Sequence, residues 1–132
     1  MQYEVLQPPH LPRPMGYSHA IKVTEGSLVF LAGQVALDER NQVLYPGDVV
    51  KQFEAALRNM RAILEQAGGS FRNVVKLNIY LGNRRDYYSK SRQISALYRR
   101  CFGRHYPPMT LLQVADFAYD GLMVELEAVA VV

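Results

Sequence analysis

The spacing of apolar and polar residues along the chain predicts two helices set among several strands. Apolar side chains recur at three- and four-residue intervals over residues 48–67, and charged residues occupy the other faces of that helix. Asp48 is placed to cap its first turn. A second helix is predicted over residues 86–102, and Gly103 ends it.

Five further stretches have the alternating or continuous apolar character of strands. They cover residues 20–23, 27–37, 73–81, 109–117 and 122–132, and the turn TEGS joins the first two. The resulting order, β-β-α-β-α-β-β, predicts an α+β fold, a two-layer sandwich with both helices on one face of the sheet. We expect residues 1–132 to form a single domain, in which residues 1–15 are an extended, weakly structured arm because they contain four of the seven prolines.

One face of this sheet would lack a cover. Residues 28–35 and 124–132 place apolar side chains on both sides of their strands, whereas the helices cover only one side. Leaving several Val and Leu side chains in water would lose several kcal/mol, at roughly 25 cal/mol per Å2. We therefore expect the open face to pack on other copies of the chain, in a closed homo-oligomer whose clefts between subunits are the natural binding sites.

Composition narrows the class of protein. Hydrophobic residues make up 49% and charged residues 20% of the chain, which argues against disorder. No apolar stretch approaches the about 20 residues that a bilayer span needs, and no basic segment followed by an apolar core suggests a secretory signal. The single cysteine, Cys101, excludes an internal disulfide and fits a reducing cytosol, so we expect a cytoplasmic protein without membrane contact.

The net charge of +3 raises the question of nucleic-acid binding. Six arginines lie between residues 84 and 104, but helix surfaces commonly carry such charges and no RNA-binding motif accompanies them. A solvated or subunit-contacting face is the better interpretation, and we do not expect a nucleic-acid partner. The three histidines are too scattered for a metal site, and no motif indicates a cofactor, so we expect neither.

Three short stretches contain side chains suited to chemistry. In GYSHA, Tyr17 and Ser18 offer hydroxyl groups, although packing at a strand edge would also explain them. In VELEAVA, Glu125 and Glu127 point to the same side of a strand, where each raises the proton affinity of the other. Solvent or arginines of a neighbouring subunit are the alternative surroundings of these carboxylates. Gly33 in LAGQVALD lets a ligand or another backbone approach closely.

The stretch HYPPMTLLQV forms the entrance to a predicted strand. Two prolines fix the turn and Met109 follows them directly. Such a position suits a residue that contacts a substrate, but a methionine side chain binds apolar atoms and not a charged group.

Taken together, the stretches GYSHA, LVFLAGQVALD, ILEQAGGSFRNVVKLNIYL, YPPMTLLQV and VELEAVAVV resemble the Rid family. These are the reactive-intermediate deaminases, also known as YjgF-like or L-PSP-like proteins. The similarity runs in order and spacing from about Gly16 to the C-terminus. It implies a chorismate-mutase-like fold, assembly as a homotrimer with three clefts between subunits, and imine deamination, in which water attacks the C=N carbon of a small-molecule substrate and ammonia leaves.

The resemblance also implies site residues. The tyrosine of the active deaminases corresponds to Tyr17 and their glutamate to Glu125, so we expect these two to be catalytic. The residues that we expect to contact the substrate are Ser18, Ala32, Gly33, Arg104, Met109 and Thr110.

The chain departs from the family pattern where the substrate would be held. The arginine that binds the substrate carboxylate corresponds to Met109, the serine before Gly-Gln to Ala32, and a polar helix residue to Ser95. An arginine–carboxylate contact typically contributes a few kcal/mol, and methionine provides none of it. Three functions stay open: a deaminase for a less acidic or larger, more apolar enamine or imine, a non-catalytic trimer that binds a small metabolite, and an RNA-directed ribonuclease or translation inhibitor.

Overall fold

The computed structural model describes residues 2–132 and contains six strands, three α-helices and one short 3-10 helix. The elements are β1 (Gln2–Leu6), β2 (Ala20–Glu25), β3 (Leu28–Gln34), α1 (Val49–Gln66), a 3-10 turn (Phe71–Asn73), β4 (Val74–Leu81), α2 (Arg84–Ser89), α3 (Ser91–Phe102), β5 (Met109–Gln113) and β6 (Val124–Val131). The predicted α+β class is confirmed. Among residues 2–132, no helix combines the length and the apolar character that a membrane span requires.

The main sheet has four strands in the order β3-β6-β4-β5. Strand β6 is antiparallel to both β3 and β4, whereas β4 and β5 are parallel. Alternate residues of β4 and β6, such as Leu77, Ile79 and Leu126, are buried against α1 and α3. The hydrophobic core therefore lies on one side of the sheet, and the helices cover that side.

Helix α1 forms where the apolar periodicity placed it. Asp48 has an extended backbone and its side chain accepts a hydrogen bond from the Lys51 amide, which satisfies one of the free donors of the first turn. The buried face includes Phe53, Met60 and Leu64, none of which is exposed to solvent. This helix confirms its predicted bounds to within one residue at each end.

The predicted second helix is instead two helices. Asn83 caps α2 by accepting hydrogen bonds from the amides of Arg85 and Asp86, so the helix begins earlier than the apolar pattern suggests. The Ser89 hydroxyl donates to the Asp86 carbonyl, and Lys90 leaves the helical conformation. Side-chain hydrogen bonds of this kind compete with the helical backbone, and a second helix, α3, starts at Ser91.

The expectation of a weakly structured arm over residues 1–15 is wrong for its first part. Residues 2–6 form β1, which pairs antiparallel with β2 in a separate two-stranded sheet. The turn TEGS joins β2 to β3 as predicted, but β3 pairs with β6 in the main sheet and not with β2. The strand QYEVL was not predicted, because the prolines that follow it indicate an unstructured segment. Residues 7–19 return the chain to β2, and the His19 amide donates to Gln7 Oε1 at 2.9 Å.

The other side of the main sheet is not covered by a helix among residues 2–132. Phe30 is 74% exposed and Leu28 is 59% exposed, both on β3, while Leu112 on β5 is half exposed. Large apolar side chains this exposed on both outer strands of the sheet indicate a surface that another protein surface covers.

One buried polar side chain joins α1 to the start of β6. The Gln52 amide nitrogen donates to the carbonyl oxygens of Tyr45 and Gly121, and its amide oxygen accepts from the Met123 amide. Gln52 is fully buried. Removing the Gln52 amide would leave these buried backbone groups without hydrogen-bond partners, which destabilises the fold.

We expect Gln52→Leu to lower the free energy of unfolding by about 3 kcal/mol, because a side chain of similar size loses all three hydrogen bonds. Urea denaturation at one fixed protein concentration measures this, since assembly would make stability depend on concentration. Gln66→Leu at the exposed end of the same helix is the matched control and should change stability by less than about 0.5 kcal/mol. Equal effects of the two substitutions would show that the Gln52 hydrogen bonds are not needed.

Candidate functional site

A cavity of about 740 Å3 lies between the N-terminal segment, helix α3 and the edge of strand β5. Residues 13–18 form one wall, Ile94, Ser95, Tyr98 and Arg99 form a second, and Met109 stands at the entrance of β5. We call it the arm cavity. It has the size of sites that bind small molecules.

The wall from the N-terminal segment depends on a tight turn. Gly16 has a φ of +78°, which a residue with a side chain rarely adopts, and the following residue is Tyr17. Ser18 is buried and Tyr17 is partly buried against the ring of His19, at 5.7 Å between ring centroids. The His19 ring in turn donates from Nε2 to the Pro12 carbonyl at 2.6 Å. These contacts hold the two hydroxyl-bearing residues at the cavity.

Met109 is placed by the parallel pairing of β4 and β5. It lies opposite Leu77, whose amide donates to the Pro108 carbonyl at 2.9 Å. His105, two residues before Pro107, donates from Nε2 to the Val74 carbonyl at 2.6 Å, and burial lowers its pKa, which favours the neutral ring. Because Leu77 faces the helices, Met109 faces the helix side of the sheet at its open edge, within the arm cavity.

Helix α3 contributes a polar strip beside apolar side chains. Ser95 and Arg99 are four residues apart, so both lie on one face of the helix together with Tyr98. Ile94 on the neighbouring face is buried in the core. Ser95, which the family resemblance aligns with a polar helix residue, lines this cavity.

Glu125 lies on the opposite face of the sheet. In the antiparallel pairing of β4 and β6, Glu125 lies opposite Tyr80, and Glu127, two residues further along β6, lies opposite Asn78. Gly33 on β3 is the close neighbour of Glu125, since a Cβ atom added to this glycine would lie 2.7 Å from both Cδ and Oε2 of Glu125. The absence of a side chain at Gly33 thus leaves room for the Glu125 carboxylate of the same chain. The approach of a ligand or another backbone to Gly33 stays a prediction.

The two carboxylates differ in their electrostatics. Burial raises the pKa of Glu125, and the charge of Glu127 raises it further. Hydrogen bonds from Asn78 Nδ2 at 2.8 Å and from the Tyr80 hydroxyl at 2.9 Å lower the pKa of Glu127. Glu127 is therefore fixed as an anion, while Glu125 holds a proton more readily than an ordinary glutamate.

The structure thus divides the predicted site residues between two places. Tyr17, Ser18 and Met109 meet at the arm cavity, and Gly33 and Glu125 meet on the open sheet face. Ala32 is exposed on β3 next to the second group, and Thr110 is exposed on β5, where its hydroxyl accepts a hydrogen bond from Lys76 Nζ at 3.1 Å.

Arg104 does not reach the arm cavity. It lines a neighbouring cavity together with Arg72 and His105, and Ser18 and Tyr106 form part of the boundary between the two cavities. Among residues 2–132, no arginine forms an ion pair with Glu125 or Glu127, and the partners of Glu127 are Asn78 and Tyr80.

Sequence reasoning missed several residues of the arm cavity. Tyr87, Tyr98, Tyr106 and Arg99 line it, as does Arg13 from the N-terminal segment. A signal was present in α3, where Ser95, Tyr98 and Arg99 follow helical spacing on one face. Within residues 2–132 there is no cluster of three or more side chains of the kinds that hold a metal ion.

Comparison with known proteins identifies the family of the chain. The family model described as endoribonuclease L-PSP matches residues 10–132. The chain belongs to the endoribonuclease L-PSP family. The resemblance to Rid proteins is thereby confirmed, although the family name by itself does not give this chain a substrate.

Similar proteins include a RutC family protein and a named deaminase. A RutC family protein of Pyrococcus abyssi is 34% identical over 98% of both chains. The 2-iminobutanoate/2-iminopropanoate deaminase of Mus musculus is 36% identical over 87% of this chain and 80% of that one. Among solved structures, the Rid family protein YyfB of Yersinia pestis superposes with a TM-score of 0.84 at 28% identity and covers 100% of each chain.

We expect carboxyl 13C NMR to show Glu125 titrating above and Glu127 below the ordinary glutamate pKa of about 4.3. Glu127→Gln removes the neighbouring negative charge, so the pKa of Glu125 should fall but stay above the ordinary value because burial remains. Glu65→Gln on the exposed surface of α1 is the control and should leave the Glu125 titration unchanged. If the pKa of Glu125 is the same with and without Glu127, the repulsion is absent.

Proposed function

We propose that the protein is an enamine or imine deaminase, a hydrolase. Its substrate carries no carboxylate on the C=N carbon and is larger and more apolar than a 2-imino acid. The observation that carries the proposal is Met109 at the arm cavity, in the position where a substrate-binding arginine is expected. Relatives named as deaminases support the reaction class. The apolar residues Ile79 and Ile94 beside Met109 support a larger, more apolar substrate.

The complete site requires more than one copy of the chain. Glu125 and Met109 lie on opposite faces of one sheet, so a single chain does not present both to one substrate. The exposed apolar side chains of Leu28, Phe30 and Leu112 favour binding of another copy to the open face, because contact would remove them from water. In a homotrimer, the open face of one subunit with Glu125 would meet the arm cavity of the next.

The reaction needs one water molecule and the transfer of protons. The water oxygen adds to the C=N carbon, a proton moves to the nitrogen, and the resulting carbinolamine releases ammonia as the C=O bond forms. Glu125 orients the water and accepts its proton, and the raised pKa suits a carboxyl group that must then return that proton to nitrogen. Tyr17 hydrogen-bonds the substrate, and Met109 packs against its body.

We expect Glu125→Gln to lower the rate of imine hydrolysis by about 100-fold or more, because the amide does not accept the proton from water. The substrate is the imine formed from N-chlorobenzylamine by elimination immediately before mixing, and ammonia and benzaldehyde are measured above the uncatalysed rate. Light scattering should show the same assembly for both proteins. Glu127→Gln is the matched control and should keep most of the activity near neutral pH.

Turnover that survives Glu125→Gln would remove the assigned role of this carboxylate. Saturable binding of product analogues without turnover by the unaltered protein would favour the non-catalytic binding function instead.

We expect Met109→Arg to raise activity toward 2-iminobutanoate at least about tenfold relative to the neutral benzylamine-derived imine, because the guanidinium supplies the missing contact with the carboxylate. An amino-acid oxidase with catalase generates 2-iminobutanoate in situ, in the assay mixture. Met109→Leu keeps an apolar side chain and should leave the preference unchanged. An unchanged preference in the arginine variant would show that position 109 does not set the substrate.

A further inference from the structure

The arm cavity is much larger than a four-carbon imino acid needs. Its volume of about 740 Å3 lies in the upper part of the range for sites that enclose drug-sized molecules. A small substrate would leave most of this space to water. The cavity dimensions therefore favour a ligand with a sizeable body.

Aromatic side chains form much of the wall. Tyr17, Tyr87, Tyr98 and Tyr106 line the cavity from four different segments of the chain. Burial raises the pKa of Tyr87 to about 12 and also raises that of Tyr98, so both phenols are neutral under physiological conditions. Neutral aromatic rings favour flat, apolar or aromatic ligand groups, which they contact face to face or edge to face.

A positive charge stands at this aromatic wall without a partner. Arg99 lies in the last turn of α3 and is exposed, and within residues 2–132 its guanidinium forms neither an ion pair nor a hydrogen bond. The neutral tyrosines do not compensate it. A guanidinium next to an apolar cavity is well suited to a bidentate contact with a carboxylate or a phosphate.

Arg99 is placed by helix α3 relative to Ser95, the polar residue of the same cavity. It lies four residues beyond Ser95, or about 6 Å along the helix axis at 1.5 Å per residue. Tyr98 lies between them on the same face, and its hydroxyl oxygen is buried without a hydrogen-bond partner among residues 2–132. Such a group is normally satisfied by a ligand or a water molecule.

From these observations we infer that the substrate is an imine or enamine with an aromatic or similarly flat body and an anionic group remote from the C=N bond, and that Arg99 anchors this anion. The inference rests on the proposed function, since it names the substrate class of the same site. The cation that is missing beside the reacting carbon at Met109 is supplied by Arg99, which lines the same cavity from helix α3.

A binding experiment tests the anchor without requiring turnover. The probes are 4-acetylbenzoate, whose ketone represents the carbonyl product, and the neutral 4-acetylbenzamide. In an NMR titration, the carboxylate should bind at least about tenfold more tightly than the amide, and Arg99→Gln should remove this difference. Arg100→Gln is the matched control, because Arg100 is the next residue of the same helix and lines a different cavity.

Equal affinities for the two probes would overturn the inference, and so would equal losses in the Arg99 and Arg100 variants. Arg99→Lys covers the case in which the glutamine variant is unstable, since it keeps the charge but not the planar fork and should retain only part of the preference.

A turnover experiment separates the anchor from the reaction. Imines prepared from N-chloro-4-(aminomethyl)benzoate and from the corresponding amide should be hydrolysed by the unaltered protein with a preference for the carboxylate, and Arg99→Gln should abolish that preference. Hydrolysis of both imines at the same rate would overturn the inference while the proposed function stands. Binding that depends on Arg99 without hydrolysis of any imine would contradict the proposed function and support the anchor.

Discussion

The alternation of side chains along the strands of the main sheet governs both the stability and the site of this protein. Strands β4 and β6 direct every second residue toward α1 and α3, where Leu77, Ile79 and Leu126 form the core. The intervening residues point to a face that none of the helices described in residues 2–132 covers. Any shift of register by one residue would exchange these two sets, so the buried face fixes the position of every other side chain.

The same alternation separates the parts of the candidate site. Met109 shares a face with Leu77, whereas Glu125 lies opposite Tyr80 on the other face. The sheet backbone stands between them. A protein that uses both residues on one substrate must therefore combine two chains, and the exposed apolar residues of β3 favour such contact because burying them removes apolar surface from water.

Charge is distributed to match this division. The open face holds two carboxylates, one fixed as an anion by Asn78 and Tyr80 and one with a raised pKa. The arm cavity holds the neutral phenols of Tyr87 and Tyr98 and the guanidinium groups of Arg13 and Arg99. A ligand that bridges the two faces of neighbouring subunits would thus meet a proton-accepting group on one side and an anion-binding group on the other.

The amino-acid sequence by itself determined the elements whose signals are local. The periodicity of α1 and its Asp48 cap, the alternation in β4 and β6, and the turn before Met109 all depend on neighbours a few residues away. Family-specific stretches added Tyr17, Met109 and Glu125 as candidate site residues. The break between α2 and α3 was missed because it depends on side-chain hydrogen bonds that compete with an otherwise helical pattern.

Tertiary structure decided what long-range pairing controls. Strand β1 pairs with β2, whereas β3, the next strand along the chain, pairs with β6. Arg104 lines a different cavity from the one that Arg99 lines. These outcomes depend on residues that are distant along the chain, such as the pairing of Leu6 with Ala20 across the proline-rich segment. Local sequence patterns do not contain that information, because the packing free energy that selects among partners arises only when the elements meet.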